Sequence, residues 1–331
     1  MRKIKIAQIG TSRYSHGSAI FDCIKSLHDV FEIVGYCMPE NEKNEFSDTM
    51  GVFEGYKELT LDEIMNNPEI EAVTVETEEC HLTKYALLAA KNNKHIHMEK
   101  PGSQNLEDFK KLIATVKNNK TIFHTGYMYR YNPYIMKLMD RIKSGELGDI
   151  ISIEAQMNCY HKPAAREWLS KYKGGMMFFL GCHLIDLILS IQGNPQNIIP
   201  MNKCSGVDEA TGEDFGMAIF EYKNGVSIVK CSAVEYGGFS RRQLVVSGTN
   251  GTVEIRPLEE NIAYPIERSG YREVFDDAWM SDSEFTKTDT YHRYETMMKS
   301  FAAMVRGEKE NPWDYDYEHN LYKTVLKACN I

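Results

Sequence analysis

The feature that most limits what this chain can fold into is the regular alternation of strand and helix over its first third. Residues 3–9 alternate apolar and polar side chains like a strand, and residues 18–27 have helical spacing. Residues 32–38 read as a second strand, stopped by Pro39. Thr60-Leu61-Asp62-Glu63 is a capping box that predicts a short helix ending near Pro68. Residues 72–75 are strand and 82–91 an Ala/Leu-rich helix, while 95–99 are strand again, closed by Pro101. Asn105 caps a helix whose Phe109, Leu112, Ile113 and Val116 share one face, and residues 121–126 form the last strand of the series. Units of this size require a parallel sheet wound with helices on both faces, an α/β domain over residues 1–126.

The pattern then changes, so residues 127–331 read as a second domain of α+β type with a large, mostly antiparallel open sheet. One more helix, carrying Ile135, Leu138, Met139 and Ile142, stops at Gly145. Extended runs follow: 149–158, then 215–222 and 226–234 around Asn224-Gly225, then 243–247 and 252–255 around Asn250-Gly251. Asn-Gly between apolar runs is a strong hairpin signal. Residues 174–191 read as one helix, apolar on nearly all sides and therefore buried. Helices are expected at 291–305 and 317–329, with residues 282–291 as a solvated loop and helix cap.

A chain of 331 residues is too long for one comfortable core, which agrees with two domains. The formal net charge of −9 disfavours nucleic acid and anionic membrane as partners. The longest apolar run, 176–191, is too short to span a bilayer and carries His183 and Asp186. The start at Met1-Arg2-Lys3 leads straight into strand without a cleavage pattern, and the eight cysteines form no C-x-x-C. A cytoplasmic protein with reduced thiols is expected. Cys182 and His183 are helical neighbours that point about 100° apart, so they make no nucleophile pair.

In a doubly wound sheet the ligand lies at the carboxyl ends of the strands. The first such end is Gly10-Thr11-Ser12-Arg13-Tyr14-Ser15-His16-Gly17, where a dinucleotide fingerprint would have glycines at 10, 12 and 15. Here Gly10 is followed by serines, small enough to admit a phosphate to the start of the next helix. An ordinary βα turn is the competing reading. The second strand ends Cys37-Met38-Pro39-Glu40 with no acid at its tip for a ribose, so Glu40 in the loop is the nearest substitute. The choice between NAD and NADP stays open. Thr77, beyond the third strand, is a further candidate for cofactor contact.

The run His95-Ile96-His97-Met98-Glu99-Lys100-Pro101 places His95, His97 and Glu99 on one strand face and Lys100 on the other. His-x-His-x-Glu could be written as a metal set, but it has no fourth ligand nearby in sequence. A solvated Glu-Lys pair is the ordinary alternative, against which stands the position at a strand's carboxyl end.

Glu99-Lys100-Pro101 after this strand–helix series resembles the signature of the glucose–fructose oxidoreductase/inositol dehydrogenase (Gfo/Idh/MocA) family. The resemblance continues through Gly126-Tyr127-Met128-Tyr129-Arg130-Tyr131-Asn132-Pro133 and Ile142 to Gly148. Gly174-Gly175, Gly181-Cys182-His183-Leu184-Ile185-Asp186, Gly248 to Glu254 and Phe301 to Gly307 carry it further, in the family's order and over nearly the whole chain. It implies an N-terminal Rossmann domain binding NAD or NADP, and a second domain for substrate binding and oligomerisation. It also implies hydride transfer between nicotinamide and a hydroxyl-bearing carbon of a sugar, inositol or related polyol. Carried over, Lys100 touches the reacting hydroxyl, Glu99 lies near the nicotinamide ribose, and His183 is the acid/base.

The chemistry asks for such groups independently. An alcohol losing hydride also loses a proton, which suits a histidine, and an ammonium stabilises the developing alkoxide. A core histidine satisfied by a carbonyl is the bland alternative for His183. Asp186, three residues on, shares its helical face and is expected to orient the ring. The cofactor set is therefore Gly10, Ser12, Arg13, Thr77 and Glu99. The catalytic pair is Lys100 and His183, with no metal. Arg130, Tyr160, His161 and Asp186 are substrate candidates. One departure stands out: the family's Asp four residues before the histidine is Phe179 here. That departure favours, as alternatives, cofactor-assisted elimination or glycoside cleavage without net redox turnover, or a non-catalytic sensor. Apolar residues on both faces of 217–220 call for covering by a second copy, so a homodimer or homotetramer is expected.

Overall fold

The computed structural model describes residues 2–281 and 283–331, and Asp282, where the expected loop and cap begins, lies outside them. By internal contact the chain groups into two units. One comprises the residues up to Tyr127 with Tyr294–Tyr322, the other Met128–Arg293 with Lys323–Ile331.

The first unit carries β1 (Ile4–Ile9), α1 (Gly17–Ser26), β2 (Phe31–Cys37), α2 (Glu42–Glu45), α3 (Leu61–Asn66), β3 (Ala72–Val75), α4 (Glu79–Lys91), β4 (His95–Met98), α5 (Leu106–Asn119) and β5 (Phe123–Thr125). The strands form one parallel sheet in the order β2-β1-β3-β4-β5. The α/β architecture is the one the alternation requires. Every residue of β3 is buried, as a central strand covered on both faces must be. Local chemistry sets the helix starts: Thr60 and Glu63 close a full capping box on α3, and Asn105 accepts from the Asp108 N–H at the start of α5. The buried face of α5 is Phe109, Leu112, Ile113 and Val116. The helix Glu295–Val305 joins this unit, and its Phe301 stacks on His124 with ring centroids 5.5 Å apart. It begins four residues later than its apolar pattern suggested, because Tyr291–His292 is strand.

The second unit opens with α6 (Pro133–Lys143), whose start is capped by the Asn132 side chain accepting from Tyr134 and Ile135 N–H. Then come β6 (Ile150–Asn158), α7 (Pro163–Leu169), α8 (Cys182–Gln192), β7 (Asn197–Lys203), β8 (Phe215–Tyr222), β9 (Gly225–Ser232), β10 (Gln243–Gly248) and β11 (Thr252–Ile255). Short strands complete it: β12 (Glu260–Ala263), β13 (Ile266–Arg268), β14 (Gly270–Val274), β15 (Thr286–Lys287) and β16 (Tyr291–His292). Eight strands form an open sheet in the order β15-β14-β11-β10-β6-β9-β8-β7, antiparallel except where β6 meets β9. Both Asn-Gly hairpins form, as β8–β9 and β10–β11. The small sheet β12-β13-β16 and α7 have no sequence periodicity long enough to announce them.

The apolar stretch 174–191 is not one helix. Gly174 and Gly175 have φ of +81° and +39°, and a Cβ on Gly175 would lie 2.1 Å from the Glu213 carbonyl oxygen. Only a turn of glycines fits there. A π-helical segment follows at Met177–Gly181, and regular α8 begins at Cys182. α8 is buried along most of its length and packs on β6 and β9, covering one face of the large sheet. Ile151, Ile199, Met201 and Val226 remain exposed. Among the described residues no helix is long and apolar enough to cross a membrane.

Candidate active site

In the first unit the carboxyl ends of β1, β3 and β4 bring most of the expected cofactor residues together. Gly10 has φ +83°, and a Cβ there would sit 2.3 Å from Thr77 Cγ2, so only glycine lets the turn after β1 approach the end of β3. The two serines that replace fingerprint glycines tie the loop to itself. Ser12 Oγ accepts from the N–H of Tyr14 and Ser15, and Ser15 Oγ accepts from the N–H of Ser12 and Gly17. α1 starts at Gly17 with no cap from the His16 side chain, and Ser15 Oγ takes only the Gly17 N–H, so the rest of its positive end faces an anion. A glycine-shaped approach and a helix start not capped by its His16 side chain fit a dinucleotide pyrophosphate. Arg13 is turned to Asp48 in a two-bond pair of 3.1 and 2.9 Å on the surface.

At the end of β4, Glu99 and Lys100 are each 1% exposed, which rules out the solvated pair. The Lys100 ammonium lies 3.6 Å from Glu99 Oε1, and His16 Nδ1 lies 3.2 Å from Glu99 Oε2. Burial opposes the charge on Glu99, but His16, Lys100 and His97 together hold its carboxyl below the ordinary range. Two further buried carboxyls share the field of Lys100. Glu76 is pushed well up by burial and by Glu99, and Glu79 is pushed up to about 8 by burial. Glu99 is thus the carboxyl held ionised, while Glu79, at about 8, is mostly protonated near neutral pH and Glu76 is shifted in the same direction. His97 lies 2.7 Å from His124 (Nδ1 to Nδ1) and 3.6 Å from Glu76, while His95 accepts from the Ile122 N–H. His95, His97 and Glu99 therefore serve different partners.

In the second unit His183 stands on α8, 1% exposed, with the Tyr129 ring edge-on at 5.1 Å and 88°. Tyr129 carries Arg293 over its ring at 5.7 Å, and burial raises its phenol well above the ordinary value. Behind it Glu259 ion-pairs with Arg242 and Arg293. Burial opposes the Glu259 charge, but the two arginines bring its carboxyl down to about 2.

Two of the residues expected to serve ligands are engaged within the protein. Asp186 has Arg130 as its partner, with Nε–Oδ2 at 2.9 Å and Nη2–Oδ1 at 2.7 Å, both side chains buried. The two expected substrate ligands are thus bound to each other. Glu40, the expected ribose acid, is bound to Lys84 and to the Tyr85 hydroxyl at 2.6 Å. Tyr160 is exposed and stacks on Tyr236 at 4.3 Å. His161 donates its backbone N–H to Ala233, and burial brings its imidazole down to about 4. Phe179 is buried in the π-helical segment, with Trp168 edge-on at 5.1 Å and His161 at 6.2 Å. Sequence reasoning missed His16, Glu42, Glu76 and Trp168. Only His16 had a signal, as part of the first loop.

The chain belongs to the GFO/IDH/MocA oxidoreductase family. Residues 4–127 match its NAD-binding Rossmann-fold domain, and residues 135–254 match its C-terminal domain. Among known proteins it resembles an uncharacterized oxidoreductase, YhhX, of Escherichia coli. That match is 31% identical over 139 residues, 42% of this chain and 40% of that protein. It also resembles the NADP(+)-dependent scyllo-inositol 2-dehydrogenase IolW of Bacillus subtilis, at 25% identity over 85% of this chain and 76% of that one. Among solved structures, a levoglucosan dehydrogenase in complex with NADH and levoglucosan superposes with a TM-score of 0.80. It is 16% identical, over 99% of this chain and 98% of that one.

Proposed function

We propose that this protein is an NAD(P)-dependent oxidoreductase that moves a hydride between nicotinamide and a hydroxyl-bearing carbon of a sugar, inositol or related polyol. The observation that carries the reading is the buried Glu99–Lys100 pair at the carboxyl end of β4, in a family domain that binds NAD. The nicotinamide supplies the hydride acceptor. Lys100, buried and paired with an ionised carboxylate, presents a fixed ammonium to the oxygen that becomes alkoxide. His183, held edge-on by Tyr129, receives the hydroxyl proton. The named relatives support the substrate class, since inositols and levoglucosan are neutral, hydroxyl-rich molecules that a net charge of −9 neither attracts nor repels.

Lys100→Ala abolishes turnover on a polyol and sugar panel, followed by nicotinamide absorbance, while cofactor affinity stays within a few-fold. Unchanged turnover removes Lys100 from the chemistry. The exposed Ile151, Ile199, Met201 and Val226 support a homodimer or homotetramer, and a monomer in light scattering overturns that part.

A further inference from the structure

The second strand ends without the acid a ribose would need, and the structure shows where a substitute comes from. The strand-end position is Met38, whose side chain packs against the Phe21, Tyr36 and Phe53 cluster and is committed to the core. The chain then turns back through Glu40 and Asn41, both left-handed at φ +56° and +60°. Two consecutive non-glycine residues in that region are a strained turn, kept only where the surroundings demand it. Its product is the delivery of Glu42 to the cofactor loop. Glu42 is 2% exposed, and its Oε2 accepts from the Thr11 N–H at 3.2 Å. The same oxygen lies 2.9 Å from where a Cβ on Gly10 would stand. Its Oε1 is buried and meets no donor with hydrogen-bond geometry.

We propose that Glu42 is the acid that recognises the vicinal hydroxyls of the adenosine ribose, and that it makes this chain an NAD rather than an NADP protein. The inference rests on the cofactor reading above and adds the residue and the specificity. A carboxylate beside the glycine turn, at the carboxyl ends of β1 and β2, is where a doubly wound sheet presents an acid to the ribose. Both of its oxygens accept, which matches two neighbouring hydroxyl donors. Ribose hydroxyls can donate to Glu42 and ionise it, whereas a 2′-phosphate brings only acceptors and its own negative charge to a carboxyl already faced by Glu40, itself paired with Lys84, and by Glu78. The loop's arginine, Arg13, is already paired with Asp48, and its His16 with Glu99.

The test is calorimetric titration of NAD⁺ and NADP⁺, and of their adenosine halves AMP and 2′,5′-ADP, into the wild type and Glu42→Gln. The wild type binds NAD⁺ at least about tenfold tighter than NADP⁺, a difference of ~1.4 kcal/mol. Glu42→Gln keeps the shape, removes the ionisable carboxyl, supplies an amide donor to a phosphate and narrows the ratio about tenfold, mainly through gained affinity for the 2′-phosphorylated ligands. Equal or tighter NADP⁺ binding by the wild type overturns the proposal, and so does an unchanged ratio in Glu42→Gln. If the variant fails to fold, the wild-type ratio alone still decides. Absence of binding by either dinucleotide overturns the cofactor reading itself, and is distinct from a wrong ratio.

Discussion

Asp186→Ala is the perturbation whose cost follows most directly from geometry. The wild-type carboxylate meets the Arg130 guanidinium through two bonds of 2.9 and 2.7 Å, with both side chains 1% exposed. Removing the acid leaves a buried guanidinium, which stays charged at any working pH. Breaking a buried pair from one side costs about 3–5 kcal/mol. For a folding unit of roughly 150–250 residues each kcal/mol lowers the melting temperature by about 2–4 °C, so the variant should melt about 6–20 °C below wild type. Removing both charges together avoids the orphan. Arg130→Met with Asp186→Leu should therefore regain most of that loss, since apolar replacement of a buried pair is often neutral. Scanning calorimetry or thermal circular dichroism of Asp186→Leu, Arg130→Met and the double variant closes the cycle, with Asp186→Ala measured beside them. A single-variant loss below about 1 kcal/mol, or a double variant no better than the worse single, refutes the reasoning.

Other outcomes follow from the same structure. Glu79 is buried and pushed up to about 8 from an ordinary value of 4.5, so its contribution to stability falls as pH rises across that window, by about 1.4 kcal/mol per unit. Glu79→Gln flattens the slope. Urea midpoints at pH 5 and pH 8 test it, and parallel losses in wild type and variant speak against a titrating Glu79. The Glu42 carboxyl is pushed up to about 8 by burial, against the Thr11 and Glu78 N–H groups, with Glu40 and Glu78 as its charged neighbours. Ribose hydroxyls that donate to it favour the ionised form, so NAD⁺ binding at pH 7 should release close to one proton. The calorimetric heat then varies with the ionisation enthalpy of the buffer, and buffer-independent heat contradicts it. Phe179→Ala removes a ring packed edge-on against Trp168 and should cost about 3–5 kcal/mol in chemical denaturation. A loss under about 1 kcal/mol would place Phe179 outside the packed core.

The parts of the fold legible in the sequence are those whose physics is local. The parallel strands of the first unit, the Thr60–Glu63 capping box, the Asn105 cap and the Asn-Gly hairpins each depend on residues within a few positions of one another. Period and capping chemistry therefore announce them. The split of 174–191 was half legible. Its glycines were visible, but the reason they turn the chain is the Glu213 carbonyl, which is distant in sequence.

By itself, then, the sequence determined the order and type of the main elements, the glycine turn after the first strand, and the positions of Lys100 and His183 on strand end and buried helix. Tertiary structure alone decided who partners whom. His16 meets Glu99 across 83 residues, Arg130 meets Asp186 across 56, and Glu42 returns to Thr11 across 31. No local spacing encodes such pairs, because they arise only when separate strand ends are brought side by side or a helix is laid on a sheet. The same juxtaposition, by excluding water, raises the Glu76 and Glu79 carboxyls above the range of ordinary acids. Burial is a property of the folded chain, and so is the chemistry that depends on it.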